Sequence, residues 1–358
     1  MTKGACAVLE AVGFINVTRQ CNVDCKRCYL TEHNRLSSER LPLPTLEAFL
    51  ANPFWEGREV TLIWEGGEPT LVGHAAMRRY CSAARRILPH ARQTMVTNCF
   101  NVPDWLLGII KDEFQGNVET TYATGHKFSL AGNEEHYQRK FIAGLNLLWR
   151  SGIQCPVNVE LNRETVSAGV DVLAGVILGS DCKVWEFDVS VDFRTFLANP
   201  VYTADTVPVL PLTVSYKEVW RFLSELKSRW GARFKEAGIS IGAFEQQIGQ
   251  TNNQFNVACE HRFLTLNPDG VVTTNPLYSD LPGTHLVNVN DAGLDPILAN
   301  RNRLRRVLAD RKRAACCKAC PHYTYCKGGP SHVAVTDGSG ECAGGKGMWD
   351  QLLEMSCA

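Results

Sequence analysis

Cys21, Cys25 and Cys28 lie in "CNVDCKRCY", spaced four and three apart and closed by the aromatic Tyr29. Thiolates are soft ligands suited to iron-sulfur clusters, zinc or copper(I). A closed cysteine site usually has four of them, and this triplet is one short. His33, five residues on, would complete a zinc site of three cysteines and one histidine. Near the other end, Cys317, Cys320, Cys326 and Cys342 form a complete set of four, three of them tightly spaced, fit for a [4Fe-4S] cluster or for zinc. A third element is "WEGGEPTL" at 64–71. There Gly66 and Gly67 allow close backbone approach, Glu68 offers an acceptor for an ammonium group, and Pro69 fixes the turn. Taken alone, that stretch reads equally well as an ordinary turn.

These residues need a scaffold, and the chain between 13 and 190 supplies a recognisable one. Short β-rich runs at 13–19, 59–64, 92–98, 117–123, 155–161 and 183–190 alternate with helical patterns near 44–52, 74–88, 103–113, 134–151 and 164–178. Such alternation predicts an α/β fold with a parallel sheet and crossover helices, and six strands predict a partial barrel rather than a full eight. The cysteine triplet then follows the C-terminal end of the first strand, the face that carries chemistry in α/β barrels. A Pro-containing stretch at 197–213 leads into a helical pattern at 214–236. From 255 the texture turns to Gly, Pro, Asn and Cys, as expected of a small domain held by metal rather than by core area. The expected division is 1–212 for the barrel, 213–254 for a bridging helical region and 255–358 for the cysteine-rich domain.

The 358 residues carry 37 basic and 37 acidic side chains, so no net charge points to nucleic acid or another polyanion. The basic stretch at 301–313 is interspersed with Leu and Val and reads as one solvated helix face. No positively charged, apolar leader opens the sequence, and no apolar run reaches the ~18 to 20 residues that span a bilayer. The expectation is a soluble, cytoplasmic protein with neither membrane nor nucleic acid as partner. In such a chain, fifteen cysteines favour metal or redox chemistry over disulfides.

The C-x3-C-x2-C pattern after strand one, followed one βα unit later by Gly66-Gly67-Glu68-Pro69, resembles the radical S-adenosylmethionine superfamily. That resemblance implies three cysteines on a [4Fe-4S] cluster whose fourth iron is chelated by S-adenosylmethionine, reductively cleaved to a 5′-deoxyadenosyl radical that abstracts hydrogen. It assigns cofactor contacts to Tyr29, Gly66, Gly67, Glu68 and Pro69. "VTN" at 96–98 is similar to the family's T-N-G element and adds Asn98, although Cys99 stands where that element has glycine. "HYQRK" at 136–140 is similar to a segment with a cofactor-contacting arginine, which would make Arg139 a contact; a plain surface arginine is the equal alternative.

The C-terminal region resembles the SPASM/twitch type of auxiliary-cluster domain. Cys259 and Gly270 fit its opening, but Asn275 and Pro330 stand where two ligand cysteines belong. Both departures fall on the first auxiliary cluster, so the resemblance implies that only one auxiliary [4Fe-4S] cluster is kept, on Cys317, Cys320, Cys326 and Cys342, with Cys316 beside them. Pro276 replaces the aspartate that serves as proton acceptor in sulfatase-maturing relatives, leaving Tyr278 and Asp280 as substitute catalytic candidates.

The function implied is radical modification of a peptide or protein side chain, of the kind that matures ribosomal peptides, with flavodoxin or ferredoxin as electron donor. A radical oxidation or rearrangement of a small natural-product intermediate is the runner-up. A non-catalytic zinc or iron-sulfur scaffold is the reading from another class, against which the Gly-Gly-Glu-Pro turn argues.

Overall fold

The computed structural model describes residues 9–202, 209–245, 259–291, 296–312, 315–326, 328–329, 342, 345–347 and 349–350. All six expected strands are present. They are β1 (Leu9–Thr18), β3 (Arg58–Gly66), β4 (Arg92–Val96), β5 (Val118–Tyr122), β7 (Val157–Leu161) and β8 (Val184–Val189). Each pairs in parallel with the next, in that order, and among the described residues the sheet does not close on itself, a partial barrel. Alternate positions such as Leu62 and Trp64 of β3 are wholly buried, because a strand presents successive side chains to opposite faces.

The crossover helices pack on the outside. They comprise α1 (Glu32–Leu36), α2 (Leu43–Leu50), α3 (His74–Ile87), α4 (Asp104–Glu113), α5 (Glu134–Arg150), α6 (Arg163–Ala168), α7 (Val170–Leu178), α8 (Phe193–Ala198) and α9 (Tyr216–Glu236). The helical pattern expected at 164–178 is two helices, split at Gly169 with φ 87°, a conformation glycine adopts without a Cβ penalty.

Two departures matter for the site. A short antiparallel ribbon, β2 (Val23–Cys25) with β6 (Lys127–Ser129), carries the cysteine loop over the barrel mouth and sets Cys25 opposite Lys127. The sheet also runs on past β8 to β9 (Ser240–Ile241), and past β1 to β10 (Phe263–Leu266), β11 (Val271–Thr273) and β12 (Val287–Asn288). The segment expected to be a separate small domain therefore extends the barrel sheet, with β10 parallel to β1. Buried Asn16 of β1 fastens this junction through Asn267 (2.8 Å) and Ser279 (3.1 Å). Among the described residues no helix is long and apolar enough to cross a membrane. The basic stretch at 301–313 is a helix over Arg301–Arg311 with Arg301, Leu304, Arg305 and Leu308 exposed, while Arg303 and Arg306 are buried.

Candidate active site

The C-terminal ends of β1 and β3 are locked together where the two sequence motifs meet. Gly66 has φ 129°, and a Cβ there would lie 2.2 Å from the Thr18 carbonyl oxygen; at Gly67 it would lie 2.1 Å from that of Gln20. The backbone N–H of Gly67 donates to Thr18 (2.9 Å) and that of Glu68 to Gln20 (2.8 Å). The close approach that the paired glycines permit is thus to the strand leading into the cysteine loop. Cys21 is then held by its N–H on the Arg35 carbonyl (3.1 Å), and Cys28 by its N–H on the Cys25 carbonyl (3.3 Å).

A cavity of about 340 Å³ opens at this end of the barrel. Its lining includes Cys21, Cys25, Cys28, Tyr29, Gly66, Gly67 and Asn98. Five of the predicted cofactor or ligand positions on the first loop and turn, together with Tyr29 and Asn98, are therefore gathered from three separate loops. Burial pushes the Cys21 thiol up to about 11, with the Glu68 carboxylate adding to the rise, and the Cys28 thiol up to about 12, with Cys21 adding; Cys25 is raised by burial and by both neighbouring thiolates and eased by Lys127. Three crowded, desolvated thiols suit a positively charged metal group, which supplies the charge that their ionisation lacks. No group of three or more His, Cys, Asp or Glu among the described residues is set to hold a single metal ion.

Tyr29 donates to the Gly66 carbonyl at 3.2 Å. The Asn98 amide reaches Asn22 at 2.7 Å and the Cys21 sulfur at 3.8 Å. Cys99, standing where the T-N-G element has glycine, takes φ 53°, a conformation costly for a side chain-bearing residue. A Cβ at Gly144 of α5 would come within 2.1 Å of its carbonyl oxygen, so α5 packs hard against this bend.

The predicted carboxylate turns away. Glu68 is wholly buried and does not line the cavity. Its carboxylate accepts from the backbone and hydroxyl of Thr70 (3.1 and 2.7 Å), the hydroxyl of Thr97 (3.0 Å) and the backbone of Asn98 (2.8 Å). Burial raises its pKa in spite of these donors. Glu68 is thus a brace between the ends of β3 and β4, and Pro69 starts the buried turn Pro69–Val72 that it caps.

Another acid of the same strand end does line the cavity: Glu65, on the face of β3 opposite Trp64. Its Oε1 is buried with no hydrogen-bond partner, and desolvation pushes its pKa up to about 8. Sequence reading passed over it; the signal was an acid ending an otherwise apolar strand. Also unforeseen at the cavity are Arg27, Arg35, His126, Lys127 and Glu160. Arg27 pairs with Glu164 (2.6 Å), Arg35 with Asp24 (2.5 Å), and Lys127 donates to the Thr121 carbonyl (2.7 Å). His126 lies 3.8 Å from Glu160, and burial lowers its pKa.

Three other predicted residues lie elsewhere. Arg139 is on the outer face of α5, its side chain 69% exposed and paired with Glu135, so helical direction carries it away from the cavity. Tyr278 is wholly buried among Phe193, Phe196, Leu210 and Leu281, under the Arg306 guanidinium. Asp280 accepts from the Thr31 backbone (2.5 Å) and the Asn34 amide (2.7 Å), and lies 3.8 Å from Arg19. Asp280 thus joins the start of α1 to the C-terminal segment, Tyr278 packs that segment on α8, and neither lines the cavity.

At the second array, burial raises the pKa of Cys326, with further upward pressure from Cys342 and Cys320; Cys317 is raised likewise, with Cys316, Cys342 and Cys326 contributing. The four expected cysteines are thus close enough to feel one another's charge. Asn275, at a missing-ligand position, caps the turn Pro276–Tyr278 by accepting from the Leu277 N–H at 2.9 Å. Pro330 lies outside the described residues.

No family model and no curated protein matches this chain. Solved structures do match. Native anSMEcpe with bound AdoMet is 16% identical, with 97% of each chain covered and a TM-score of 0.72. The same protein with AdoMet and Kp18Cys peptide gives 16% identity, 97% coverage of each chain and 0.73. Streptococcus suis SuiB bound to S-adenosylmethionine is 13% identical, covering 90% of this chain and 73% of that one, with a TM-score of 0.58. At such identities the likeness establishes architecture: this chain has the mixed α/β, partial-barrel fold of anSMEcpe and SuiB over nearly its whole length.

Proposed function

We propose that this protein is a radical S-adenosylmethionine enzyme that modifies a peptide or protein side chain. The carrying observation is the convergence of Cys21, Cys25, Cys28, Gly66, Gly67 and Asn98 in the lining of one cavity. A [4Fe-4S] cluster on the three cysteines, with S-adenosylmethionine bound, supplies one-electron reductive cleavage and a carbon radical able to take hydrogen from substrate.

The chain's own residues position and seclude that chemistry. Gly66 and Gly67 hold the cysteine loop against the end of β3, and Glu68 fixes the N–H of Asn98, whose amide stands beside Cys21. Lys127 and Arg35 place positive charge by the thiols and favour their ionised form. Val189, Val191, Phe193 and Leu277 add apolar lining that helps to exclude water from the cavity.

A single auxiliary [4Fe-4S] cluster is assigned to Cys317, Cys320, Cys326 and Cys342, with a flavodoxin or ferredoxin as the electron source and the cytoplasm as the setting. The peptide reading is supported by structures of the same fold solved with peptides, namely anSMEcpe with Kp18Cys and SuiB with its precursor peptide SuiA. The test is anaerobic reconstitution with iron and sulfide, followed by dithionite and S-adenosylmethionine. Formation of 5′-deoxyadenosine is expected; bound zinc without iron, or S-adenosylmethionine left intact, would overturn the proposal.

A further inference from the structure

The charges around the cavity are unequally satisfied. Arg27 is committed to Glu164, Arg35 to Asp24 and Lys127 to Thr121, while Glu160 faces His126. Glu65 differs from all of these. Among the described residues no cation lies within ion-pair distance of it, and its buried Oε1 has no hydrogen-bond donor. An unpaired acceptor in a low-dielectric site costs free energy comparable to a lost hydrogen bond or more, and a ligand that supplies the donor recovers it.

The position of Glu65 shows which ligand that is. Its neighbour Tyr29, the residue after Cys28, packs like Val191 and Leu277 against the apolar cluster of Phe193, Phe196, Leu210, Tyr278 and Leu281. Gly66 and Gly67, the next two residues, are held to the cysteine loop. Glu65 therefore lines the cavity beside Tyr29 and just before the two glycines, with no protein donor on its Oε1.

We infer that Glu65 is the substrate-selecting carboxylate of this cavity, and that the substrate group it receives is a cationic N–H donor, an alkylammonium or guanidinium. This deepens the proposed function and rests on it for the word substrate, but the binding site itself is defined by the cavity alone. The other titratable and charged groups lining the cavity are the phenol of Tyr29, the cations Arg27, Arg35 and Lys127, the ring of His126 and the carboxylate of Glu160. A cation brought to Glu65 displaces the proton that burial keeps on it, so binding releases a proton at neutral pH and tightens as pH rises towards 8.

The experiment titrates reconstituted protein, with S-adenosylmethionine present, against n-butylammonium and against its neutral isostere 1-butanol, by calorimetry. The ammonium is expected to bind at least about ten-fold more tightly, with proton release. Glu65→Gln should abolish that preference and Glu65→Asp should keep part of it, while both variants retain S-adenosylmethionine binding as a check on folding. Equal binding of the two probes by the unaltered protein, or an unchanged preference in Glu65→Gln, would overturn the inference. Dithionite-driven formation of 5′-deoxyadenosine, measured alongside, reports on the radical chemistry alone; its failure would remove that reading and leave the result at Glu65 standing.

Discussion

The carboxylate of Glu68 accepts the backbone N–H of Asn98 at 2.8 Å, joining the Gly-Gly-Glu-Pro turn to the end of the neighbouring strand. Glu68→Ala would leave the N–H groups of Thr70 and Asn98 buried without an acceptor. A loss of about 2–4 kcal/mol is expected from such orphaned groups. Chemical denaturation of the variant, compared with the unaltered protein, reads this directly; a loss below about 0.5 kcal/mol would show that the brace carries no weight.

Gly67→Ala places a methyl group where the Gln20 carbonyl oxygen now stands, 2.1 Å away, and the obstacle is backbone. The end of β1 and the cysteine loop must shift. Lower thermal stability together with reduced iron uptake is the expected outcome. Gly57→Ala is the matched control. Gly57 also has a positive φ, 66°, but open space around it, so its cost is the local backbone strain alone, with iron uptake unchanged.

Iron content separates the two cysteine sets. About eight irons per chain are expected, four for each cluster. Cys25→Ala should lower this to about four and abolish 5′-deoxyadenosine formation. A content of about twelve in the unaltered protein would mean that the cysteines missing at Asn275 and Pro330 are replaced by other ligands.

Arg139→Ala should leave S-adenosylmethionine affinity unchanged, because its side chain is exposed and turned outward. Exposed substitutions of this kind stay within about 0.5 kcal/mol in stability. A loss of affinity of more than about ten-fold on equilibrium dialysis would return Arg139 to the cofactor site.

The raised pKa of Glu65 has a sign for stability. Burial lifts it from 4.5 to about 8, so between those values the unfolded chain has lost its proton while the folded one keeps it. Unfolding then releases a proton, and stability falls as pH rises from about 4.5 to about 8, each unit being worth at most about 1.4 kcal/mol. Glu65→Gln should flatten that fall, as read from denaturation midpoints at pH 5, 6.5 and 8; an unchanged slope would assign the pH dependence to other groups.

Much of this was legible before any coordinates. The six parallel strands announced themselves through local hydrophobic runs, and the long helices through their periodicity, because both signals arise within a few residues. Cys21, Cys25 and Cys28 were legible as ligands because their spacing is itself the chemistry, and the glycines at 66 and 67 because only glycine tolerates such close backbone contact. The β2–β6 ribbon was not, since its two strands are three residues each and about a hundred residues apart.

The sequence by itself determined the soft-ligand sets, the open triplet and the order of the barrel strands. Tertiary structure decided which carboxylate turns to the cavity. Glu68 carries the motif's name but is claimed by Thr70, Thr97 and Asn98, while Glu65 is left free by the alternation of β3. It also decided that Arg139 faces solvent, that Tyr278 and Asp280 do not line the cavity, and that β10 joins β1. The joining of β10 to β1 and the place of Asp280 depend on contacts such as Asn16 with Asn267 and Thr31 with Asp280, made between residues some 250 positions apart. Spacing fixes what a residue can do, and only packing fixes what it faces.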